Sequence, residues 1–271
     1  MSSNSSKALQ ELLSPPRFSL LDVALTGTSI EQAIQQIVAY TQGGGRHYVC
    51  VFAVASLLQC HDEPRLRDIA NKSDMTLCDG MPLVFVGRKF AGLEMNRCYG
   101  PDVMLKTIEA GCATGMKHFF YGGADETVMT RLLANLKEKF PDIQVAGKYV
   151  PPFRDLTDAE HTDVVAKINE SGADVVWVGI GTPRQDFWVS DYRSVLKPSV
   201  LIAVGAAFNF HAGTVPQAPR WMMRCGLEWL FRLVAEPRRL WRRYVIGNPR
   251  FVFLAVRQLL TRRPHVLGKT L

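Results

Sequence analysis

An alternation of two patterns constrains this chain most. Short, nearly unbroken apolar runs at 48–55, 75–78, 118–121, 143–146, 174–180 and 200–206 take turns with segments of helical spacing. The latter lie at 29–40, 64–71, 101–112, 126–140, 158–171 and 185–196. Runs rich in β-branched and aromatic residues, without polar alternation, are what strands covered on both faces require. Alternation with helices implies βαβ units and a mainly parallel sheet flanked by helices, an α/β fold. With 271 residues, 47% of them apolar, such a core can be filled and a disordered chain is excluded. The polar, Ser-rich stretch 1–16 reads as a flexible leader and lacks the apolar segment of a secretory signal. Residues 17–219 read as the α/β domain and 220–271 as an appendage.

Charge sets the appendage apart. Residues 220–271 hold 12 Lys or Arg against two Glu, whereas the rest of the chain holds 20 basic and 23 acidic residues. A mildly acidic body with a strongly basic tail points to an anionic partner, either a membrane surface, a phosphate-bearing substrate or a nucleic acid. Leu227, Leu230, Phe231 and Val234 form one helical stripe, and Leu240, Trp241, Tyr244 and Val245 resume it after Pro237. Arginines surround both stripes, and after Pro249 a third apolar helix is expected over 251–260. Basic amphipathic helices rich in Trp and Phe suit a lipid interface better than a nucleic-acid groove, so no nucleic-acid partner is expected. The plainer alternative is helices packed on the core with a solvated Arg face. No run reaches about 18 apolar residues, so membrane contact would be peripheral. Such a tail can also pack between copies of the chain, which leaves a homo-oligomer open.

The six cysteines form no CxxC pair, and Cys50 and Cys78 fall inside apolar runs. This reads as a reduced, cytoplasmic protein with neither a disulfide frame nor a zinc site. The six histidines show no ligand spacing. Neither a GxSxG elbow nor a GxxxxGK[ST] loop occurs.

Open parallel sheets bind ligands beyond the carboxyl ends of their strands, so the residues after each run are the candidates. Asp79-Gly80 follows 75–78 and reads as a general base or as an ordinary turn. Gly122-Gly123 follows 118–121, where missing side chains admit a ligand. Gly181, Thr182, Pro183, Arg184 and Gln185 follow 174–180, with Thr182 placed to cap a helix and Arg184 and Gln185 to hold phosphate or hydroxyls. Arg184 stands where GxGxxG needs its third glycine, which counts against a dinucleotide cofactor. Arg97, Tyr99 and Asp102 form another helix start, with Asp102 either a cap or a sugar ligand. In the rigid loop 148–154, Tyr149 or Phe153 can stack on a base or simply pack.

Taken in order, several segments carry a family resemblance. They include Cys78-Asp79-Gly80-Met81-Pro82, Arg97-Cys98-Tyr99-Gly100-Pro101-Asp102, Tyr149-Val150-Pro151-Pro152-Phe153-Arg154 and Gly179-Ile180-Gly181-Thr182-Pro183-Arg184-Gln185. The block running from Gly226-Leu227-Glu228-Trp229 to Glu236-Pro237-Arg238-Arg239 completes the set. Together they resemble the WecG/TagA/CpsF glycosyltransferases over roughly 20–254. The resemblance implies a Rossmann-like domain with a basic appendage. It also implies inverting transfer from a UDP-sugar donor to a polyprenyl-diphosphate-linked sugar acceptor at the inner face of a bacterial membrane. No cofactor and no essential bound metal are implied. Asp79 would be the catalytic base. Arg97, Asp102, Gly122, Gly123, Tyr149, Arg154, Gly181, Thr182, Arg184 and Gln185 would bind substrate, and Arg232, Arg238 and Arg239 the acceptor diphosphate. Many members carry Thr-x-Asn where this chain has Val51-Phe52-Ala53. The subfamily it resembles most is the xanthan-type exopolysaccharide β-1,4-glucosyltransferases, which implies glucose as the donor sugar; other members use N-acetylmannosamine-type donors, and that alternative, like a non-catalytic scaffold role in polysaccharide assembly, stays open.

Overall fold

The computed structural model describes residues 15–262 and 264–267. The expected leader lies outside the described residues up to 14, as does Arg263. The chain opens with β1 (Arg17–Leu20), β2 (Val23–Thr26), α1 (Ile30–Gly43), β3 (His47–Phe52), α2 (Val54–Asp62), α3 (Pro64–Lys72) and β4 (Met75–Cys78). It continues with α4 (Met81–Phe90), α5 (Gly100–Cys112), β5 (Lys117–Gly122), α6 (Glu126–Lys139), β6 (Gln144–Tyr149) and α7 (Asp158–Glu170). Then come β7 (Val175–Gly179), α8 (Arg184–Tyr192), β8 (Val200–Ala203) and α9 (Ala207–His211). The basic segment forms α10 (Arg220–Arg224), α11 (Glu228–Ala235), α12 (Pro237–Trp241), a π-helical turn (Arg242–Ile246), α13 (Gly247–Thr261) and β9 (Val266–Leu267).

The nine strands lie in the order β6-β5-β7-β8-β3-β4-β2-β1-β9. All pairings from β6 to β2 are parallel, and β1 pairs antiparallel with both β2 and β9. Successive residues of one strand feed opposite layers, which explains the unbroken apolar runs. On one face Cys50, Phe52, Val176, Val178, Leu201 and Ala203 meet α2, α3, α4, α7, α8 and α13. On the other Val49, Val51, Val175, Trp177, Val200 and Ile202 meet α1, α5, α6 and α9. The α/β expectation therefore holds. Local signals set the helix starts: Ser29 with Gln32 and Thr157 with Glu160 form capping boxes, and Asp125 caps α6.

Three features were not anticipated. The β1–β2 hairpin turns on Leu21 (φ 51°) and Asp22 (φ 60°); Asp tolerates left-handed backbone, but Leu rarely does. Side chains from elsewhere hold it: Leu21 N donates to Gln258 Oε1 at 2.7 Å and Ala24 N to Asn71 Oδ1 at 2.8 Å. Helix α2 starts at Val54, so the run expected as strand to 55 ends at Phe52. Pro249 does not break the last helix, which runs through it from Gly247 to Thr261 directly after the π-helical turn. Helix α13 packs on α2, and β9 extends the sheet beyond β1, so residues 247–267 return to the body.

Candidate active site

Because β3, β4, β5, β7 and β8 run parallel, their carboxyl ends open on one edge of the sheet. A cavity of about 710 Å³ lies there, floored by the strand ends and walled by Gly226, α11, α12, the π-helical turn and the start of α13. Asp79, Arg97, Gly123, Gly181, Thr182, Arg184 and Gln185 line it, as do Arg232 and Arg239 of the appendage.

At its centre Arg97 joins the body to the appendage. The backbone N–H of Asp79 donates to Phe52 O at 2.8 Å, which fixes the exit of β4. Arg97 Nε donates to the carbonyl oxygen of Asp79. Arg97 Nε and Nη2 reach Asp79 Oδ1 at 3.1 and 2.7 Å, and Nη2 also reaches Glu228 Oε2 at 2.6 Å. The three side chains are only 21%, 17% and 13% exposed for Asp79, Arg97 and Glu228. Burial opposes the Arg97 charge, yet the facing carboxylates of Asp79 and Glu228 hold its pKa above the ordinary value. Asp79 Oδ2 takes no hydrogen bond among the described residues.

The Gly181–Gln185 segment is braced from within. The Thr182–Pro183 peptide is cis and Pro183, not Thr182, occupies the cap position of α8. The expected Thr182 cap is thereby corrected. Gln185 is buried, its Oε1 accepts from Gly181 N at 3.2 Å and its Nε2 donates to Thr182 Oγ1 at 3.3 Å. Its side chain shapes the loop. Behind it Asp186 is fully buried with neither carboxylate oxygen hydrogen-bonded, and burial raises its pKa to about 7. Gly122 is needed for close approach: a Cβ there would stand 2.6 Å from the Gly179 carbonyl.

The profile of the Glycosyl transferase WecG/TagA/CpsF family matches residues 18–265. The chain belongs to this glycosyltransferase family. It is 29% identical over 207 residues to an N-acetylglucosaminyldiphosphoundecaprenol N-acetyl-beta-D-mannosaminyltransferase of Bacillus spizizenii strain W23, which covers 76% of this chain and 77% of the relative. A protein of the same description from Bacillus subtilis strain 168 is 28% identical over 191 residues, 70% of this chain and 72% of the relative.

For this glycosyltransferase the structure separates residues that the sequence groups together. Asp102 does not line the cavity; its carboxylate takes Arg220 bidentately at 2.8 and 3.1 Å, an anchor for α10. Tyr149 is stacked on Tyr121, ring centroids 5.6 Å apart, and Gly122 lies within β5, so neither lines it. Arg154 binds Glu160 through both terminal nitrogens at 2.7 Å and points away from the cavity lining. Arg238 is exposed outside the cavity, whereas Arg243, which the sequence did not single out, lines it. Glu228 was missed as well, since a Glu in the first turn of an amphipathic helix reads as ordinary surface.

The cationic end of the cavity lacks acids to match it. Arg239 pairs with Glu236, but Arg232 and Arg243 have no carboxylate partner among the described residues. Arg232 lies 5.6 Å from the Phe210 ring centroid, and its Nε is buried without a hydrogen bond. Arg243 reaches water but protein surrounds most of it, and this desolvation, with Arg232 and Arg239 nearby, lowers its pKa. Two guanidinium groups without an ion-pair partner among the described residues thus line the cavity.

Proposed function

We propose that the cavity holds a UDP-sugar along the sheet edge and transfers its sugar, with inversion, to a polyprenyl-diphosphate-linked sugar at a membrane surface. The observation that carries this reading is the pair Arg232 and Arg243, unneutralised inside the cavity on a segment whose outer side is apolar. Trp221 is 62% exposed, Trp241 45% and Phe253 65%, with Arg238 and Arg242 beside Trp241 in the chain. Among the described residues no helix is long and apolar enough to cross a membrane. A peripheral seat on the cytoplasmic face, through aromatic and Arg side chains, suits a lipid-linked substrate.

In this scheme Asp79 Oδ2 takes the proton of the acceptor hydroxyl while that oxygen bonds to the anomeric carbon. The bond from that carbon to the UDP oxygen breaks, and its electron pair leaves on the diphosphate. Arg97 holds the carboxylate in place, and arginines facing the leaving group stabilise its growing charge. We assign glucose as the donor sugar and an exopolysaccharide precursor as the product. Val51, Ala53 and Ala55 give the cavity an apolar wall at the end of β3, with Ser56 beside it. A second reading, N-acetylmannosamine transfer, is favoured by the two Bacillus relatives. The test is transfer of radiolabelled sugar from a panel of UDP-sugars to undecaprenyl-diphosphate-linked sugars. Product from UDP-glucose supports the first reading and product from UDP-N-acetylmannosamine the second. No product from any donor, with folded protein and verified acceptor, would overturn both.

A further inference from the structure

Two polar side chains on the cavity wall have nothing to bind. Ser56, in the first turn of α2, lines the cavity and is only 4% exposed, yet its hydroxyl has no hydrogen-bond partner among the described residues. Asn248, in the first turn of α13, is half-buried and lines the cavity, and its side-chain amide is likewise without a partner among the described residues. The way α13 lies along α2 places both. Gly247 stands against Leu58, so that a Cβ on it would lie 3.6 Å from Leu58 Cδ1, and one turn further on Arg250 holds both carboxylate oxygens of Asp62. Clamped at these two points, α13 brings Asn248 beside the start of α2. The start of α2 in turn abuts the Asp79-Gly80 segment: a Cβ on Gly80 would lie 3.4 Å from Val54 N and 3.5 Å from Ala53 Cα. Ser56 and Asn248 therefore stand between Asp79 and the inner side of α13.

The neighbouring wall is aromatic. Tyr244 precedes Asn248 by four residues, Trp229 lies against it with ring centroids 6.1 Å apart, and both line the cavity. Arg243 continues this wall: its guanidinium is 5.7 Å from the Tyr244 ring centroid, and Asp79 is among the charges that act on it. Apolar rings with one unused hydroxyl and one unused amide suit a ligand that presents C–H faces and several hydroxyls, which is a sugar ring. An alkyl chain would leave both polar groups unpaired, at a cost in binding. In the proposed acceptor the diphosphate and the reacting hydroxyl are attached to one ring, so a diphosphate at Arg243 and a hydroxyl at Asp79 place that ring between them. Val252 is 57% exposed and Phe253 65%, which gives α13 an apolar outer side on which a lipid chain can lie. We propose, building on that lipid-linked acceptor, that Ser56 and Asn248 determine specificity by hydrogen-bonding the acceptor sugar, while Trp229 and Tyr244 cover its C–H face.

The experiment is calorimetric titration of the full chain in detergent with two probes, farnesyl diphosphate and farnesyl-diphosphate-linked N-acetylglucosamine or glucose, whichever binds more tightly. The ratio of the two affinities isolates what the sugar contributes. Ser56→Ala and Asn248→Ala should each weaken the sugar-bearing probe roughly 3- to 10-fold, the worth of one hydrogen bond, and leave farnesyl diphosphate unchanged. Arg243→Ala should weaken both probes alike. Thermal midpoints of Ser56→Ala and Asn248→Ala should match that of the unaltered chain, since neither side chain has a partner to lose. Equal loss for both probes in Asn248→Ala would make it a diphosphate or lipid contact and would overturn the proposal. Unchanged affinity for the sugar-bearing probe in both variants would overturn it too, as would an unaltered chain that binds the two probes equally well. Failure of the unaltered chain to bind farnesyl diphosphate at all would instead sink the proposed function beneath it.

Discussion

Glu228 offers the sharpest test of how the appendage is joined to the body. Glu228→Ala removes the acid that Arg97 Nη2 contacts at 2.6 Å and leaves Arg97 with Asp79 alone. A hydrogen bond between charged partners contributes about 1.5–3 kcal/mol, and exposures of 13% and 17% leave little screening to discount. The other ties of α10 and α11 are modest. The Asp102–Arg220 pair has an Arg that is 64% exposed, the apolar contact centres on Tyr99, Ala218 and Met223, and α11 has no fully buried residue. A loss of about 2 kcal/mol then shifts the docking equilibrium roughly 30-fold. Hydrogen exchange by mass spectrometry reads this directly. Amides of α11 and α12 should exchange on the order of 30-fold faster, while those of β7 keep their protection. Glu228→Gln, which retains a hydrogen bond, should fall between. Unchanged exchange in α11 would refute the idea that Arg97 holds the appendage. Equal acceleration in β7 would refute the local origin of the effect.

Other outcomes follow from the same geometry. Asp79→Asn should lower turnover about 10²–10⁴-fold with the thermal midpoint little changed, and near-normal activity would remove Asp79 from the chemistry. Arg243→Ala should raise the KM for the lipid-linked acceptor on the order of 10- to 100-fold, whereas Arg238→Ala, outside the cavity, should leave it near its starting value. Stability against pH should carry two opposed contributions. Burial lowers the His118 pKa to about 4, and its Nδ1 accepts from Trp177 Nε1 at 3.2 Å, which only the neutral ring allows. The unfolded chain takes this proton below about 6.5, so stability from His118 is lost as pH falls from 6.5 towards 4. The folded chain keeps the Asp186 proton up to about 7 while the unfolded chain releases it near 3.9, so stability from Asp186 is lost as pH rises across that window. The full shifts are worth about 3 kcal/mol for His118 and about 4 kcal/mol for Asp186, so they largely offset one another. Urea unfolding at pH 4.5, 5.5 and 6.5 should show Asp186→Asn gaining stability with pH and His118→Gln losing it, and parallel profiles would count against both assignments.

The sheet was legible because its strands are buried on both faces, so a run such as 174–180 carries no polar interruption to confuse it with a surface element. The β1–β2 hairpin was not, because a Leu-Asp turn advertises nothing; Gln258 and Asn71, far along the chain, supply what Asn-Gly would have supplied locally. In the site, the rule that ligands gather at strand ends pointed to Asp79, Gly123 and Gly181, and all three line the cavity. It could not tell a side chain that faces substrate from one already committed elsewhere. Asp102, Tyr149 and Arg154 all sit close in sequence to cavity residues, yet Arg220, Tyr121 and Glu160 hold them. Choosing between Arg238 and Arg243 depends on the π-helical turn at Arg242–Ile246, which shifts the angular position of Arg243 relative to an unbroken α-helix.

The position of Arg97 ties two parts of the molecule into one site. Its guanidinium orients Asp79 and is held in turn by Glu228, the first residue of α11. An appendage that moved away would withdraw Glu228, Arg232, Arg239 and Arg243 from the cavity together, since all four line it from one segment. The same segment carries Trp221, Leu230, Val234 and Trp241 exposed to solvent. Contact of those side chains with a bilayer would bury apolar area only on the appendage, and so would favour whichever appendage position keeps its arginines near the lipid headgroups. With Arg97 gripping Glu228, that position is the one in which the cavity is complete. On the proposed membrane seat, the segment that meets the lipid surface is then also the one that carries Arg232, Arg239 and Arg243 on the cavity.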